Sequence, residues 1–330
     1  RFDPAEVDAE RNVVKEEMRG WLDTPWEEST NRLDEALFGA RGYAHPIIGY
    51  DKDLDAITRD QFFEHYRRWY APNNAVLVLE GDIDADQAVQ AVRERFASIP
   101  SAELPERTAD ETVAGAAQQR IEIEDDATLR RCMIGFRTCR YAHPDARALH
   151  VIAALLSEGK LSRLERELVR GRQLLREVSV GQDDGAADSA LYVQAELYAD
   201  RDPKEAEEAL FAAFARLREE PVGEAELARA RDKVETEFLL DNESALDHAS
   251  LVAMSEAIGG AASEETYVQS IREVTAEDVR RVAQEYLVAE NSVVAWTIPK
   301  KKGSLRRTLG GRRCAPQAGG ALRLPQVERW

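Results

Sequence analysis

An internal repeat constrains this chain more than any other feature of its sequence. The stretch "LDAITRDQFFEHYRRWYAPNNAVLVLE", which begins at Leu54, aligns without gaps with "IREVTAEDVRRVAQEYLVAENSVVAWT", which begins at Ile271. In this alignment Thr58 pairs with Thr275, and the asparagines of the two copies also pair. Each copy is typical of a capped amphipathic helix, an asparagine turn and an apolar strand. Two such copies indicate two domains built on one plan.

The order of the other elements favours an α+β fold. Strand-like apolar runs follow one another over short connections rather than in steady βαβ alternation. The predicted helices span residues 4–22, 27–38, 58–70, 84–100, 145–156, 160–170, 203–219 and 223–257. The predicted strands span residues 75–83, 120–124, 129–138, 175–184 and 190–199. These assignments predict a helix-rich α+β protein with strands in both repeats.

Changes in composition predict the domain boundaries. A polar stretch without periodicity, residues 101–118, is predicted to link a first domain, residues 1–100, to a second, residues 119–299. The first domain is much shorter than the second, although the repeat indicates one plan. We therefore expect the first domain to be incomplete, with its missing part preceding Arg1.

Charge is distributed very unevenly along the chain. The net charge is −18, but residues 300–330 carry nine Lys/Arg against one Glu, which leaves 35 basic and 61 acidic side chains in residues 1–299. An acidic body of this kind disfavours nucleic acid and anionic lipid as partners. No run of 18 apolar residues is present, so no membrane span is predicted. The basic residues 300–330 are expected to be disordered, either as a genuine tail or as a foreign segment.

The first predicted helix carries two carboxylates in unexpected positions. In "ERNVVKEEM", Glu10 and Glu17 lie two turns apart on the apolar stripe that includes Val13 and Trp21. The phase therefore predicts that both carboxylates are buried, and a buried carboxylate needs a partner. From the residues alone the partner is either an arginine, water at the margin of the face, or a metal ion.

Cysteine and histidine spacing indicates no metal site by itself. Three cysteines show no CxxC spacing, and none of the five histidines belongs to an HxxxH or HxxEH motif. His45, in "AHPIIG", is predicted to anchor a loop, and His65, in "FFEHY", to pack along a helix.

Three stretches together resemble the insulinase/pitrilysin-type zinc metallopeptidases. They are "ERNVVKEEMRGWLDTP", "AHPIIGYDKDLDAITRDQFFEHYRRWYAPNNAVLVLEGDID" and "LSEGKLSRLERELV". The resemblance implies two related α+β domains, each a mainly antiparallel sheet packed against helices. It implies a zinc-dependent endopeptidase that cleaves peptides or unfolded segments. It also implies that Glu17 is a zinc ligand and that Glu10 accepts a hydrogen bond from a ligand histidine.

The chain departs from the family at the histidine motif. The family's His-x-x-Glu-His motif, which supplies two zinc ligands and the general base, is absent from the 330 residues. We expect it upstream of Arg1, so no catalytic residue is assigned within this chain. One glutamate cannot hold a catalytic zinc ion, and the chain alone is predicted to be inactive. The alternative is a non-catalytic structural or partner subunit of the same fold.

A second departure concerns substrate contact. Many members of the family have an arginine and, seven residues later, a tyrosine near the scissile bond. The matching positions here are Val169 and Arg176. In two-chain members one subunit binds zinc and the other carries this pair, so we predict the zinc-bearing chain of such a pair. A homodimer that has lost the pair is the alternative.

Overall fold

A five-stranded sheet organises the computed structural model, which describes residues 2–39, 42–105, 118–259 and 266–300. Its strands are β1 (Gln119–Asp125), β2 (Arg131–Thr138), β3 (Leu175–Asp183), β4 (Ser189–Leu197) and β5 (Ser292–Pro299). Their order across the sheet is β1-β5-β2-β4-β3, in which β1 runs parallel to β5 and the other neighbours are antiparallel. The sheet confirms the predicted α+β class.

Eleven α-helices account for most of the other described residues. The first five are α1 (Pro4–Leu22), α2 (Glu27–Phe38), α3 (Asp51–Ala56), α4 (Arg59–Trp69) and α5 (Ala85–Phe96). The others are α6 (Asp145–Ser157), α7 (Pro203–Glu219), α8 (Glu224–Asp241), α9 (Ala245–Ala257), α10 (Tyr267–Glu273) and α11 (Ala276–Tyr286). A π-helical segment, Glu165–Gly171, precedes β3. None of the described helices is long and apolar enough to cross a bilayer.

The prediction of one continuous helix over residues 223–257 is wrong, because the chain breaks between α8 and α9. Ser244 starts the new helix by accepting a hydrogen bond from the backbone N–H of Asp247, at 3.1 Å. A serine that caps a helix in this way satisfies a backbone donor that a continuous helix would not leave free.

The sheet is covered on both faces. Alternate residues of β2 point to the two faces of the sheet. On one face Ile134 and Phe136 belong to the main core, which includes α6, α7, α8, α10 and α11. On the other face Met133 packs against α2. On the α2 side, Leu33 is fully buried. A Cβ atom at Gly135 would collide with the Leu33 side chain, so glycine allows α2 to approach β2 closely. The N-terminal part of the chain therefore supplies a layer of the second repeat.

The internal repeat is present in the structure element by element. Helix α4 matches α11 at an offset of 217 residues, and each begins with a capping box, Thr58 with Gln61 and Thr275 with Asp278. The asparagine turns also match. Asn74 Nδ2 donates to the carbonyl of Trp69 at 2.8 Å, and Asn291 Nδ2 donates to the carbonyl of Tyr286 at 2.8 Å.

The repeat is longer than the sequence alignment indicated. At the same offset α1, α2 and α3 match α8, α9 and α10, with ends that agree within three residues. Residues 4–80 therefore share one plan with residues 221–297. The predicted domain boundaries stay predictions, and most of the predicted linker, residues 106–117, lies outside the described residues. The basic residues 301–330 also lie outside them.

The prediction of a strand over residues 75–83 is wrong for this chain. Val76, Leu77 and Leu79 lie outside regular secondary structure and are exposed, with Leu77 at 55%. The matching residue of β5, Val294, is fully buried, because β1 and β2 pair with β5 on its two sides. An extended segment becomes a strand only when another strand accepts its hydrogen bonds, and none of the described residues pairs with 75–80.

Candidate functional site

Helix α1 is held in place by its cap and by α3. Asp3 caps it by accepting from the backbone N–H of Ala5 at 2.9 Å, and Pro4 occupies the first turn. Lys15 Nζ reaches two carboxylates of α3, Asp51 at 3.2 Å and Asp55 at 2.6 Å. These contacts fix α1 on the side that bears Lys15. They do not involve the side that bears Glu10 and Glu17.

Glu10 and Glu17 are exposed, so the prediction that both carboxylates are buried is wrong for this chain. The face they share with Val13 and Trp21 is uncovered in the described residues, and both of these apolar side chains are exposed as well. A solvated carboxylate needs no partner, and no cost of burial arises. The two glutamates share the face that the helical phase predicts, but none of the described elements covers that face.

The repeat shows what covers the equivalent face in the second copy. At an offset of 217 residues Glu10 corresponds to Leu227 and Glu17 to Val234. Leu227 is 0% exposed and Val234 is 7% exposed, within the main core where α8 packs against α6. The two glutamates therefore stand at positions that face the core in the matching helix.

An apolar cavity of about 260 Å³ lies beside α1. Glu10 borders it, and Arg11 closes one side by donating to the backbone carbonyl of Leu54. The rest of its wall is mostly apolar and includes Val7, Val14 and Phe62. Glu10 thus borders a space that is lined mainly by hydrocarbon.

The described residues do not fit a zinc ion. No group of three or more His, Cys, Asp or Glu side chains within them is close enough to hold a metal. Zinc in a catalytic site needs three protein ligands, and Glu17 would supply one. The assignments of Glu17 as a ligand and Glu10 as its support therefore stay predictions.

The two positions that replace the family's substrate-contacting pair have structural contacts here. Val169 is half-buried against the main core. Arg176 Nη1 donates to Glu196 Oε1 at 2.6 Å, and the same carboxylate accepts from Arg131 Nε at 3.2 Å. Arg131 in turn lies over the ring of Trp26, 5.4 Å from its centroid. The charge of Arg176 is thus compensated within the sheet.

The two histidines singled out from the sequence make local contacts. His45 Nδ1 lies 2.8 Å from the carbonyl oxygen of Pro46, and its ring packs edge-on against Tyr50. The His65 ring is tilted against that of Trp69, one turn along α4. Neither belongs to a metal-binding group within the described residues.

Sequence reasoning missed a cleft of about 440 Å³ between α1, α2 and the turn that joins β3 to β4. Asp34 lies in its wall and accepts a hydrogen bond from Tyr192 Oη at 2.6 Å. Burial raises the pKa of Asp34 to about 6 although this hydrogen bond opposes the shift. The two residues are 158 positions apart, so no local pattern could have paired them.

A second missed feature is a polar chain at the edge of the main core. His150 Nδ1 lies 2.6 Å from Tyr267 Oη, and His150 Nε2 lies 2.8 Å from Asp184 Oδ2. Tyr267 is buried and stacked on Phe238, with ring centroids 4.3 Å apart. These contacts connect α6, the β3–β4 turn and α10. Because Tyr267 is buried, a substrate cannot reach its hydroxyl.

Solved structures share the fold of this chain. A protease from Helicobacter pylori superposes with a TM-score of 0.81 at 22% sequence identity, over 90% of this chain and 73% of that one. At this identity the likeness shows the fold alone.

Sequence comparison then gives the family. The family described as Peptidase M16 inactive domain matches residues 56–234, more than half of the chain. The chain belongs to the M16, or insulinase-type, zinc peptidase family, which confirms the resemblance seen in the sequence.

Relatives of the chain carry zinc protease names. An uncharacterised zinc protease of Mycobacterium leprae is 28% identical over 286 residues, 86% of this chain and 64% of the relative. The zinc protease PqqE of Helicobacter pylori is 24% identical over 301 residues, 88% of this chain and 66% of that protein. The chain thus spans about two thirds of the length of these two relatives.

Proposed function

We propose that this chain is the part of a zinc-dependent endopeptidase that supplies the zinc ligand Glu17 and the second, non-catalytic domain. The enzyme would cleave peptides or unfolded segments. The two histidine ligands and the general base would come from polypeptide outside these 330 residues. Bound zinc would supply an activated water for attack on the peptide carbonyl.

The repeat equivalence of Glu17 and Val234 carries this proposal. In the second copy α6 covers the face of α8 that holds Leu227 and Val234. A helix that covered α1 in the same way would meet Glu10 and Glu17 instead of two apolar side chains. Two carboxylates on a covered face need cationic partners, and zinc with a ligand histidine meets that need.

The same equivalence argues against the alternative, a non-catalytic subunit that keeps only the fold. In such a subunit a covered face is stabilised by apolar residues at these two positions, and the second repeat has apolar residues there. Carboxylates at the same two positions would destabilise it. The match to a domain described as inactive falls on residues 56–234, which do not include α1. It covers parts of both predicted domains and does not reach the helix of Glu17.

We also propose that the enzyme acts as the zinc-bearing chain of a pair. The hydrogen bond between Arg176 and Glu196 supports this pairing. Arg176 stands where the family has its substrate-contacting tyrosine, and its charge is neutralised by Glu196 within the sheet. A homologous partner subunit would then supply the substrate contacts. Size-exclusion chromatography combined with peptidase assays tests the pairing, and strong activity of the unpaired chain would contradict it.

Metal analysis tests the principal proposal. We expect the 330-residue chain to contain far less than one zinc per molecule and not to hydrolyse an unstructured fluorogenic peptide. The polypeptide translated from the complete gene is expected to bind one zinc. Stoichiometric zinc in the 330-residue chain would contradict the proposal, and so would a metal-free product of the complete gene.

A further inference from the structure

Strand β1 forms one edge of the sheet. It pairs with β5 along its whole length, and its other side pairs with no strand in the described part of the chain. Every second residue of an edge strand directs its backbone N–H and C=O away from the sheet. The open side of β1 therefore presents a row of backbone donors and acceptors that an added strand could use.

The side chains on the two faces of β1 differ in chemistry. Ile121 and Ile123 belong to the hydrophobic cluster between α2 and the sheet, where Ile123 is buried and Ile121 is partly buried. Glu122 and Glu124 alternate with the isoleucines, and both are exposed. Neither glutamate has a hydrogen bond or an ion pair within the residues that the structure describes. An added strand would therefore meet isoleucines on one face and carboxylates without partners on the other.

A groove of about 630 Å³ lies between β1 and α2. From α2 it is bordered by Glu28, Arg32 and Glu35, and from β1 by the two glutamates and two isoleucines already named. Arg32 pairs with both glutamates of its own helix, with Glu28 at 3.1 Å and with Glu35 at 3.7 Å. Four carboxylates against one guanidinium leave the lining of the groove with a net charge of −3. The groove therefore favours a positively charged occupant.

A second copy of β1 fits this edge poorly. Pairing two β1 strands would place Glu122 and Glu124 of both copies on one face of the extended sheet, and like charges on neighbouring strands destabilise their pairing. An acidic segment is disfavoured for the same reason. Basic side chains beside the two glutamates would instead form favourable cross-strand pairs.

We propose that the free edge of β1 and the groove beside it form a docking surface for a basic, extended polypeptide segment. The segment would add to the sheet as a further strand. Its apolar side chains would lie beside Ile121 and Ile123, and its lysine or arginine side chains would lie beside Glu122 and Glu124. Such a segment alternates apolar and basic residues, because successive side chains of a strand point to opposite faces. Neither Glu17 nor zinc takes part, so the inference does not depend on the proposed function.

Fluorescence anisotropy of a labelled peptide tests the docking. The probe alternates lysine and valine over about nine residues, which is long enough to span β1. In the control peptide each lysine is replaced by glutamate. At low salt we expect the 330-residue chain to bind the lysine peptide at least about 10-fold more tightly than the glutamate peptide.

Variants of β1 locate the binding. Glu122→Gln combined with Glu124→Gln is expected to weaken binding of the lysine peptide by about 5-fold or more, because both cross-strand ion pairs are lost. The matched control is Glu177→Gln combined with Glu219→Gln, which removes the same charge from exposed positions on β3 and α7. It should weaken binding by less than about 2-fold, since distant surface charges are screened. An equal loss of affinity in the two double variants would contradict the site.

Amide hydrogen exchange distinguishes strand addition from general attraction to an acidic body. With saturating lysine peptide, the amides of β1 that point away from β5 are expected to exchange about 10-fold or more slowly, because the added strand accepts their hydrogen bonds. The amides of β3, at the opposite edge of the sheet, should exchange as before.

Three further results would overturn the inference. One is equal affinity for the lysine and glutamate peptides. Another is binding of the lysine peptide that leaves exchange in β1 unchanged, since the acidic body would then attract the peptide without strand addition. The third is protection of β1 that increases with protein concentration in the absence of peptide, which would assign the edge to a second copy of the chain.

Discussion

Glu17 on α1 and Val234 on α8 occupy the same position of the internal repeat, yet Glu17 is exposed whereas Val234 lies in the hydrophobic core. The helices match within three residues at both ends, and α6 covers only the second of them among the described elements. The two positions therefore differ in whether another described element covers them, and the proposed zinc ligand stands at the uncovered one.

Exchanging the side-chain types at these two positions should affect the 330-residue chain very differently. Val234→Glu places a charge in the core and is expected to lower the free energy of unfolding by about 3 kcal/mol or more. Glu17→Val changes an exposed position and should alter it by less than about 0.5 kcal/mol. Urea unfolding followed by circular dichroism measures both changes in the free energy of unfolding. Changes of equal size would contradict the finding that position 234 is covered and position 17 is not.

The contact of α2 with the sheet predicts a coupled pair of substitutions. Gly135→Ala forces the new Cβ atom against Leu33 and should cost about 1–3 kcal/mol. In a Leu33→Ala background the same substitution should cost clearly less, because the colliding side chain has gone. Gly20→Ala, in α1 with open space around it, is the control and should be neutral or stabilising. Equal costs of Gly135→Ala in both backgrounds would exclude the contact.

Asp34 predicts a dependence of stability on pH. Burial raises its pKa to about 6 in the folded state, above an unfolded value near 4, so the folded state binds the proton more tightly. The contribution of Asp34 to stability is therefore most favourable below about pH 4 and is lost as the pH rises through 6, by about 3 kcal/mol. Asp34→Asn keeps an acceptor for Tyr192 and should be the more stable protein at pH 7, by an amount that disappears near pH 4. Parallel stability profiles of the two proteins would contradict the shift.

The two asparagine turns provide a matched comparison. Asn291 Nδ2 donates to the carbonyls of Tyr286 and Arg137, at 2.8 and 2.7 Å, and the second bond joins the turn to β2. Asn74 makes the equivalent bond to Trp69. Asn291→Ala should therefore lower the free energy of unfolding by about 1–3 kcal/mol, and Asn74→Ala by less than about 1 kcal/mol. A larger loss for Asn74→Ala would show that the first turn is packed as fully as the second.

Local patterns in the sequence predicted the elements whose causes are local. The cap of α1 at Asp3, the capping box of Thr58 and Gln61, and the continuous apolar run of β2 can all be recognised within a few residues. The repeat was recognised where the two copies share residue types, and it was missed between α1 and α8. There the matching positions hold Glu17 and Val234. The two helices correspond in the fold, but their residue types differ, so the sequences do not align.

What could not be predicted depends on distant partners. The periodicity of α2 indicates that Leu33 is buried, but not that it packs on β2 and β5, which lie 100 and more residues away. The strand predicted over residues 75–83 failed for the same reason, because strand pairing is a property of two segments. The helical spacing of Glu10 and Glu17 likewise assigns both residues to one face of α1, but it does not say which element covers that face.

The zinc content of Glu17→Gln in the polypeptide translated from the complete gene tests the central claim most directly. The control is Glu16→Gln, since Glu16 is an adjacent exposed residue that pairs with Arg19 on the outer side of α1. We predict about one zinc per molecule for the unsubstituted protein and for Glu16→Gln, and a loss of at least about tenfold in zinc affinity for Glu17→Gln. Equal zinc content and affinity in the two variants would show that Glu17 is not a ligand.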